Sequence, residues 1–491
     1  MMNKSIYSQI IASKTGLQIP VLQNGKTIES RYNPEREAEN QLLNFEKEIN
    51  FFLIIGIGSG ILIKKIHDCF ENAKIIAVEN SICDIEFLKK IPLVKELSLS
   101  KDIFLCSREN LSQTLCQNYL PALHGNLKLY ENRVWINENK ACFEEIQRQI
   151  SDSLAKISAD FSVQAHFGKI WQSNIMKNLK LAARLNCNIK RDASKKKAAV
   201  IAAGPSLDKT IERLKGGEYF IIATDTAFSS LLKQGIIADA VLSLDGQTVS
   251  YNHYMHKMKE ELKNTVFYFD LSSNFSAAKK IYDSKLKICY FSSGHPLSNI
   301  AREYSKHSIL SLYSGSGTVT ITALDLAVKY GFTQIDIFGA DFSYSGGKAY
   351  SRGTYLDTLY SISSFRKQTE EGLFAKLMFR TELIEGKKGR YSTKILESYK
   401  ESLENYLKSM NLNFVNSDDL YRIKLENNQM LPAQIQKFNY EGFIKELKSK
   451  VQGSYVILLP YIAWLRKKMN FAPCSFESLC KVAEESLLSY N

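Results

Sequence analysis

Two apolar strands that run straight into glycine turns constrain this chain more than anything else in it. One is FFLIIGIGSG (51–60), the other AAVIAAGPSLDKT (198–210). An unbroken apolar run reads as a strand covered on both faces, as in a parallel sheet between helices. The segments beyond each turn agree. After the first come the helix-like GILIKKIHDCFEN, the strand AKIIAVE, the helix SICDIEFLKKI and the strand DIFLC, a unit that fades by about residue 140. After the second come the helix SLDKTIERLKG, with Leu207, Ile211 and Leu214 on one face, the strand YFIIATD, the helix TAFSSLLKQG and the strand ADAVLSLD. NTVFYFD, LKICYFS, the helix TVTITALDLAVKYG and the strand QIDIFGADF continue the series. Strands alternating with helices imply parallel pairing in doubly wound sheets.

The fold class expected is therefore α/β, with two successive Rossmann-like units, a smaller N-terminal one and a central catalytic one. Residues 142–186 carry Ile146, Ile150, Leu154 and Ile157 at helical spacing and read as one or two connecting helices. From about 355 the chain turns helical and charged. The expected domains are 1–140, an accessory Rossmann-like unit; 141–194, a helical connector; 195–400, the central unit; and 401–491, a helical C-terminal region. No apolar run approaches the ~18 residues of a membrane span, and the N-terminus lacks the pattern of a signal peptide. Nine scattered cysteines with no C-x-x-C pair fit reduced thiols, a cytoplasmic location and no zinc site. The formal charge of +13 suits an anionic partner. Its densest cluster, KRDASKKK (190–197), reads as a solvated linker. No nucleic-acid-binding signature accompanies it, so nucleic acid is not the partner expected.

The two turns differ in what surrounds them. Gly56, Gly58 and Gly60 permit close backbone approach, and Glu79 ends the next strand, where an acid would bind ribose hydroxyls in a dinucleotide site. No segment that would position a second substrate comes after it, so this turn reads as structural. At the second turn, Gly204 ends the strand, Pro205 fixes the bend and Ser206 sits where an N-cap belongs. Backbone N–H groups at such a helix start form a natural anion site. Thr224, Asp225 and Thr226 end the next strand, and Asp245 and Gln247 the one after. Ser314, Gly315, Ser316, Gly317 and Thr318 precede a helix, and Gly339 and Asp341 end the last strand. Parallel strands bring all these polar ends to one edge, where open α/β sheets bind ligands.

In order and spacing, GPSLD, IIATDTAF, GIIADAVLSLDGQ and GFTQIDIFGADFSYSGGKAY resemble the central domain of the motility associated factor (Maf) glycosyltransferases. IIGIGSG…IIAVE resembles that family's N-terminal domain, so the likeness covers most of residues 50–420. More distantly the central blocks resemble sialyltransferases that use CMP-activated sialic acid. The resemblance implies a nucleotide-sugar transferase that moves a nonulosonic acid from its CMP form to Ser or Thr of flagellin and so supports flagellar assembly and motility. It implies that the Gly-Pro-Ser turn, the end of strand two and the Gly-x-Asp-Phe segment surround the nucleotide. The donor-binding residues expected are Gly204, Pro205, Ser206, Thr224, Asp225, Ser316, Gly317, Thr318, Gly339 and Asp341. It also implies that two tyrosines after Gly-x-Asp-Phe stabilise the departing phosphate, here matched by Tyr344 and Tyr350 with one residue inserted before the first.

The chemistry fits the implication. One phosphate leaves, so phenols and a helix start can carry its charge and no cofactor is required; a divalent metal stays open. The sialyltransferases take the acceptor proton on a histidine after the tyrosines, and this chain has none beyond His307. Asp245 is the first choice of base, with Asp225 and His253 behind it. Other readings are a pterin pyrophosphokinase-like diphosphate transfer with Mg²⁺ on Asp225, Asp245 and Asp341, a non-catalytic flagellin-binding factor, and a methyltransferase at the first turn.

Overall fold

The computed structural model describes residues 5–46, 49–70, 73–185, 187–189, 194–256, 258, 260–315, 318–386, 389–417, 420–426, 434–451, 455–472 and 474–490. The chain divides into two compact units. One spans residues 1–169 with 458–485, the other 170–457 with 486–491. Helix Lys140–Ala182 is continuous through the segment read as one or two helices.

In the first unit a hairpin of β1 (Tyr7–Ala12) and β2 (Gln18–Leu22) precedes a four-stranded parallel sheet. That sheet comprises β3 (Phe51–Ile55), β4 (Lys74–Glu79), β5 (Ile103–Ser107) and β6 (Leu127–Glu131), in the order β5-β4-β3-β6. Every residue of β3 is buried, as its unbroken apolar run requires. Helix Ile61–Cys69 comes after the glycine turn and buries Ile61, Leu62, Ile63 and Ile66. Ile146 and Ile150 of the long helix join the same core.

The second unit is built on nine strands. β8 (Lys197–Ile201), β9 (Tyr219–Thr224), β10 (Ala240–Ser243), β11 (Val266–Asp270), β12 (Lys287–Ser292) and β13 (Leu310–Ser311) are laid down side by side; β7 (Cys187–Ile189) lies outside this sheet. The chain then returns past β8 to form β14 (Gln334–Phe338) on its other side. These seven strands are parallel throughout. The reversal puts a topological switch point between β8 and β14, where a crevice opens beyond the carboxyl ends of an α/β sheet. Helix Val319–Lys329 packs across β8, β9, β10 and β14.

After β14 come β15 (Tyr344–Ser345), β16 (Ile384–Glu385) and β17 (Arg390–Ser392), a small antiparallel sheet ordered β15-β17-β16. Helices Tyr355–Ser363 and Glu370–Met378 lie between β15 and β16. The C-terminal segment is helical at Lys394–Ser409, Tyr440–Val451, Leu459–Lys468 and Phe476–Leu488. It also contributes β19 (Leu420–Lys424), which joins the large sheet antiparallel to β14, β18 (Asn413–Ser417), which pairs antiparallel with β19 at the edge, and β20 (Gln434–Gln436), which pairs with β7. Leu420, Tyr421 and Ile423 are buried there, and that apolar content draws the segment onto the sheet edge instead of into a helix. No helix among the described residues is long and apolar enough to cross a membrane. Of the basic run 190–197, residues 190–193 lie outside the described residues.

Candidate active site

The switch point is built by glycines that let backbones touch. A Cβ on Gly204 would stand 2.4 Å from the Gly339 carbonyl oxygen and 2.2 Å from Asp341 Oδ2. A Cβ on Gly339 would meet the Ala202 carbonyl oxygen at 2.3 Å. The end of β14 therefore presses directly on the Gly204–Pro205–Ser206 turn. Asp341 Oδ2 accepts from the Ser206 N–H (3.0 Å) and the Ser206 hydroxyl (2.8 Å). Arg390 faces its other oxygen at 3.6 Å. Ser206 is itself helical in backbone conformation and makes no side-chain cap, and the helix it leads into, Leu207–Thr210, has four residues before it tightens to 3₁₀. The N–H expected to wait for a ligand anion is thus engaged by the chain's own carboxylate. The next residue, Phe342, has φ of 48°, a left-handed conformation uncommon outside glycine.

β9 and β10 contribute the next groups. Thr224 caps helix Asp225–Lys233, its hydroxyl accepting from the Ala227 N–H at 3.3 Å. Asp225 is buried with both oxygens engaged, by the Thr226 N–H (2.7 Å) and the Ser243 hydroxyl (2.7 Å). Asp245 lies just past β10. Asn174 Nδ2 donates to the Gly246 carbonyl (3.0 Å), and the Asn274 N–H donates to the Asp245 carbonyl (3.0 Å), so the loop is pinned from two sides. The Asp245 carboxylate accepts from the Gln247 N–H at 2.9 Å. Burial raises its pKa, and so does Asp225 nearby, while the Gln247 hydrogen bonds and His253 lower it.

The two tyrosines arrive from the segment after β14. Tyr344 pairs with Tyr391 in the small sheet. Tyr350 is carried in by its neighbour: the Ser351 N–H donates to the Ala203 carbonyl at 2.7 Å, and the Ser351 hydroxyl meets that of Ser230 at 3.3 Å. Asp208 accepts from the Arg352 N–H at 2.8 Å. The chain after Tyr350 is thereby fixed to the switch-point turn. Burial pushes the Tyr350 phenol up to about 12, with Tyr355, Tyr344 and Asp225 adding to the rise. Tyr344 is raised by burial and lowered by Arg380. Both phenols therefore stay protonated at neutral pH and can donate to an oxyanion.

Tyr355, His253 and Arg380 belong to this group although the motif spacing did not select Tyr355 or Arg380. Tyr355 is raised by burial first and then by Tyr360, Asp245 and Asp225. Its ring lies edge-on to His253, centroids 4.7 Å apart. Its signal in the sequence is its place in the hydroxyl-rich run GGKAYSRGTY, five residues after Tyr350. Thr318 begins helix Val319–Lys329 without a side-chain cap, and Ser316 and Gly317 lie outside the described residues. Among the described residues, no three His, Cys, Asp or Glu stand together as metal ligands would.

The first glycine turn is closed. Glu79 Oε1 accepts from the Ile57 N–H and the Tyr7 hydroxyl, and Oε2 from Trp135 Nε1, each at 2.8 Å. Glu29 accepts from the Ser59 N–H (3.0 Å) and hydroxyl (2.8 Å). A Cβ on Gly56 would stand 3.0 Å from the Trp135 ring, and one on Gly58 would stand 2.6 Å from Glu29. The acid that would bind a ribose in a nucleotide site is here spent on the chain itself.

These features define an α/β protein with the fold of a MAf glycosyltransferase from Magnetospirillum magneticum AMB-1. The similarity to that structure covers 100% of this chain and 87% of that one, at a TM-score of 0.56 and 13% identity. Residues 173–347 match the family model described as 6-hydroxymethylpterin diphosphokinase MptE-like. The chain belongs to one family with two uncharacterized proteins of Treponema pallidum (strain Nichols). It is 34% identical to one over 176 residues, 32% of this chain and 82% of that protein, and 30% identical to the other over 226 residues, 45% and 74% respectively.

Proposed function

We propose that the chain is a glycosyltransferase acting on a nucleotide sugar, and specifically that it moves a nonulosonic acid from a CMP donor to Ser or Thr of flagellin in the cytoplasm. The observation that carries the reading is the pair of half-buried, protonated phenols, Tyr344 and Tyr350, on the segment that leaves β14 and is tied to the Ala203–Asp208 turn, in a fold shared with a glycosyltransferase. Transfer needs a nucleotide held, a leaving phosphate stabilised and an acceptor hydroxyl relieved of its proton. In this reading the Gly204–Pro205–Ser206 turn, Thr224, Asp225, Ser316, Gly317, Thr318, Gly339 and Asp341 frame the nucleotide. Tyr344 and Tyr350 donate to the departing phosphate. Asp245 serves the acceptor hydroxyl. The specific donor and acceptor come from the resemblance of the sequence blocks. The expected domain division, with residues 195–400 as the catalytic unit, is part of the same proposal.

The test is deletion of the gene followed by intact-mass measurement of flagellin in a strain that glycosylates it. Loss of the sugar mass is expected; an unchanged mass overturns the acceptor assignment. The match of residues 173–347 to the MptE-like model favours a second reading, diphosphate transfer from ATP. That chemistry calls for Mg²⁺ on several carboxylates, whereas Asp225 and Asp341 are each engaged by hydroxyls and N–H groups. Calorimetry with CMP in the absence of metal, beside ATP with Mg²⁺, separates the two.

A further inference from the structure

A helix that packs one apolar stripe inward normally turns a polar side to water. Helix Tyr355–Ser363 does the first and not the second. Leu356 is buried, and the Tyr360 ring lies edge-on to Phe374 with centroids 4.8 Å apart. Lys233 Nζ donates to the Thr358 hydroxyl at 3.2 Å, which fastens the helix to its unit from another side. Tyr355, Leu359 and Ile362, at spacings of four and three, form a second stripe. Leu359 is 46% exposed, Ile362 79%, and Phe365, just past the helix, 61%. Single exposed apolar residues are ordinary, whereas a run of them on one anchored helix and its exit marks an interaction surface.

The two ends of the stripe say what covers it. The inner end is Tyr355, whose ring lies edge-on to His253 with centroids 4.7 Å apart. His253 belongs to the 3₁₀ segment Thr248–Tyr254, and the Ser250 hydroxyl of that segment donates to the Asp245 carbonyl at 3.1 Å. The stripe thus starts beside the loop that carries Asp245. Ile362 stands ~10 Å further along the helix axis. Beyond it come Phe365, Arg366 and Lys367; both cations are exposed, and neither forms an ion pair among the described residues. Cations past the outer end of an apolar stripe complement a partner that is apolar near the site and acidic further out.

We propose that this stripe docks the acceptor polypeptide, a segment that is apolar on one side of its Ser or Thr and acidic beyond the apolar residues. The inference rests on the transferase reading of this site. Leu359 and Ile362 bury the acceptor's apolar side chains, and Arg366 and Lys367 meet its carboxylates. Acceptor choice is thereby set outside the nucleotide pocket, on a helix that the fold holds rigid.

The purified full chain is titrated into a fluorescent peptide carrying one Thr, leucines one and two helical turns beyond it, and glutamates a turn further on. The unaltered chain is expected to bind it, and Leu359→Glu with Ile362→Glu to weaken that binding on the order of tenfold or more. Arg366→Glu with Lys367→Glu is expected to lose severalfold and to regain the loss on a peptide with lysines in place of the glutamates, a rescue that a misfolded chain cannot show. Binding that ignores both pairs of substitutions overturns the inference. So does a homodimer in sedimentation that Ile362→Glu dissociates, which assigns the stripe to a second copy of the chain. CMP-N-acetylneuraminate serves as a separate donor probe, with water as acceptor and CMP release as the readout. Release by the unaltered chain without peptide binding overturns the docking role alone. Failure of the unaltered chain to bind CMP or to cleave the probe is a distinct result: it removes the transferase reading itself, and the acceptor assignment of the stripe falls with it.

Discussion

Both units end a buried strand in a glycine turn, and both meet that turn with a carboxylate from elsewhere in the chain. In the first, Glu29 reaches Ser59 and Glu79 reaches Ile57. In the second, Asp341 reaches Ser206. The difference lies in what is left over. Around the first turn Glu79 is saturated by Tyr7 and Trp135, and the Trp135 ring covers Gly56. Around the second, the chain brings the protonated phenols of Tyr344 and Tyr350 in on the segment after β14. A glycine turn therefore reports backbone approach, and only its neighbours report whether the approaching partner is a ligand or the protein itself.

The largest expected effect breaks the first turn. Glu79→Ala strands the Ile57 N–H, the Tyr7 hydroxyl and Trp135 Nε1 inside the core, which should cost about 3 kcal/mol or more. Hydrogen exchange should show protection of β3 and β4 falling roughly 100-fold while β8 and β9 hold. CMP affinity should not change. A matching loss of CMP binding would show that the two turns are not functionally separate.

Next in size is Tyr350→Phe. Removing one donor to a developing phosphate charge should slow CMP release from the probe by about 100-fold, with little change in stability. An unaffected rate would return Tyr350 to a purely structural role, like that of Tyr7 at the first turn.

This contrast is partly legible in the sequence. Unbroken apolar runs mark β3, β4 and β8 to β12, because strands buried on both faces must be apolar throughout. The convergence of Asp225, Asp245, Gly339 and Asp341 comes from parallel topology alone. Long-range pairing is what a sequence withholds. Nothing local links Glu29 to Ser59, or Asp341 to a serine 135 residues earlier. Thus Ser206 reads as a waiting cap and Asp341 as a ligand contact, and the two hydrogen bonds that join them are not visible in the sequence. The segment of β18 and β19 reads as helical because its surroundings are charged and helical. Tyr355 carries no motif and enters only because helix Tyr355–Ser363 starts beside His253.

A pH measurement sharpens the comparison further. Burial pushes Glu29 up to about 7 from an ordinary 4.5, with Glu37 adding to the rise and the Ser59 hydrogen bonds opposing it. Between those two values the folded chain keeps a proton that the unfolded chain has released. The associated stability is present below about pH 4.5 and is lost as pH rises toward 7. Glu29→Gln should flatten that decline by something of the order of 2 kcal/mol. Glu79, also raised to about 7, keeps part of it. A thermal melting series across this window checks the slope, and an unchanged slope would mean Glu29 is solvated and the first turn open.

The smallest effect is the most discriminating. Ser206→Ala and Ser59→Ala each remove one hydroxyl bond to a carboxylate, Asp341 in one case and Glu29 in the other, and leave the backbone N–H bond in place. Each should cost about 1 kcal/mol, so the two variants should melt alike. They should part company on ligand. Ser59→Ala has no route to the nucleotide, so its CMP affinity should equal that of the unaltered chain. Ser206→Ala loosens the Asp341 carboxylate from the turn that frames the nucleotide, so its CMP affinity should shift severalfold at the same stability. Equal affinities in both variants would mean that the second turn, like the first, is occupied only by the chain's own carboxylate, and that the nucleotide is held elsewhere along the sheet edge.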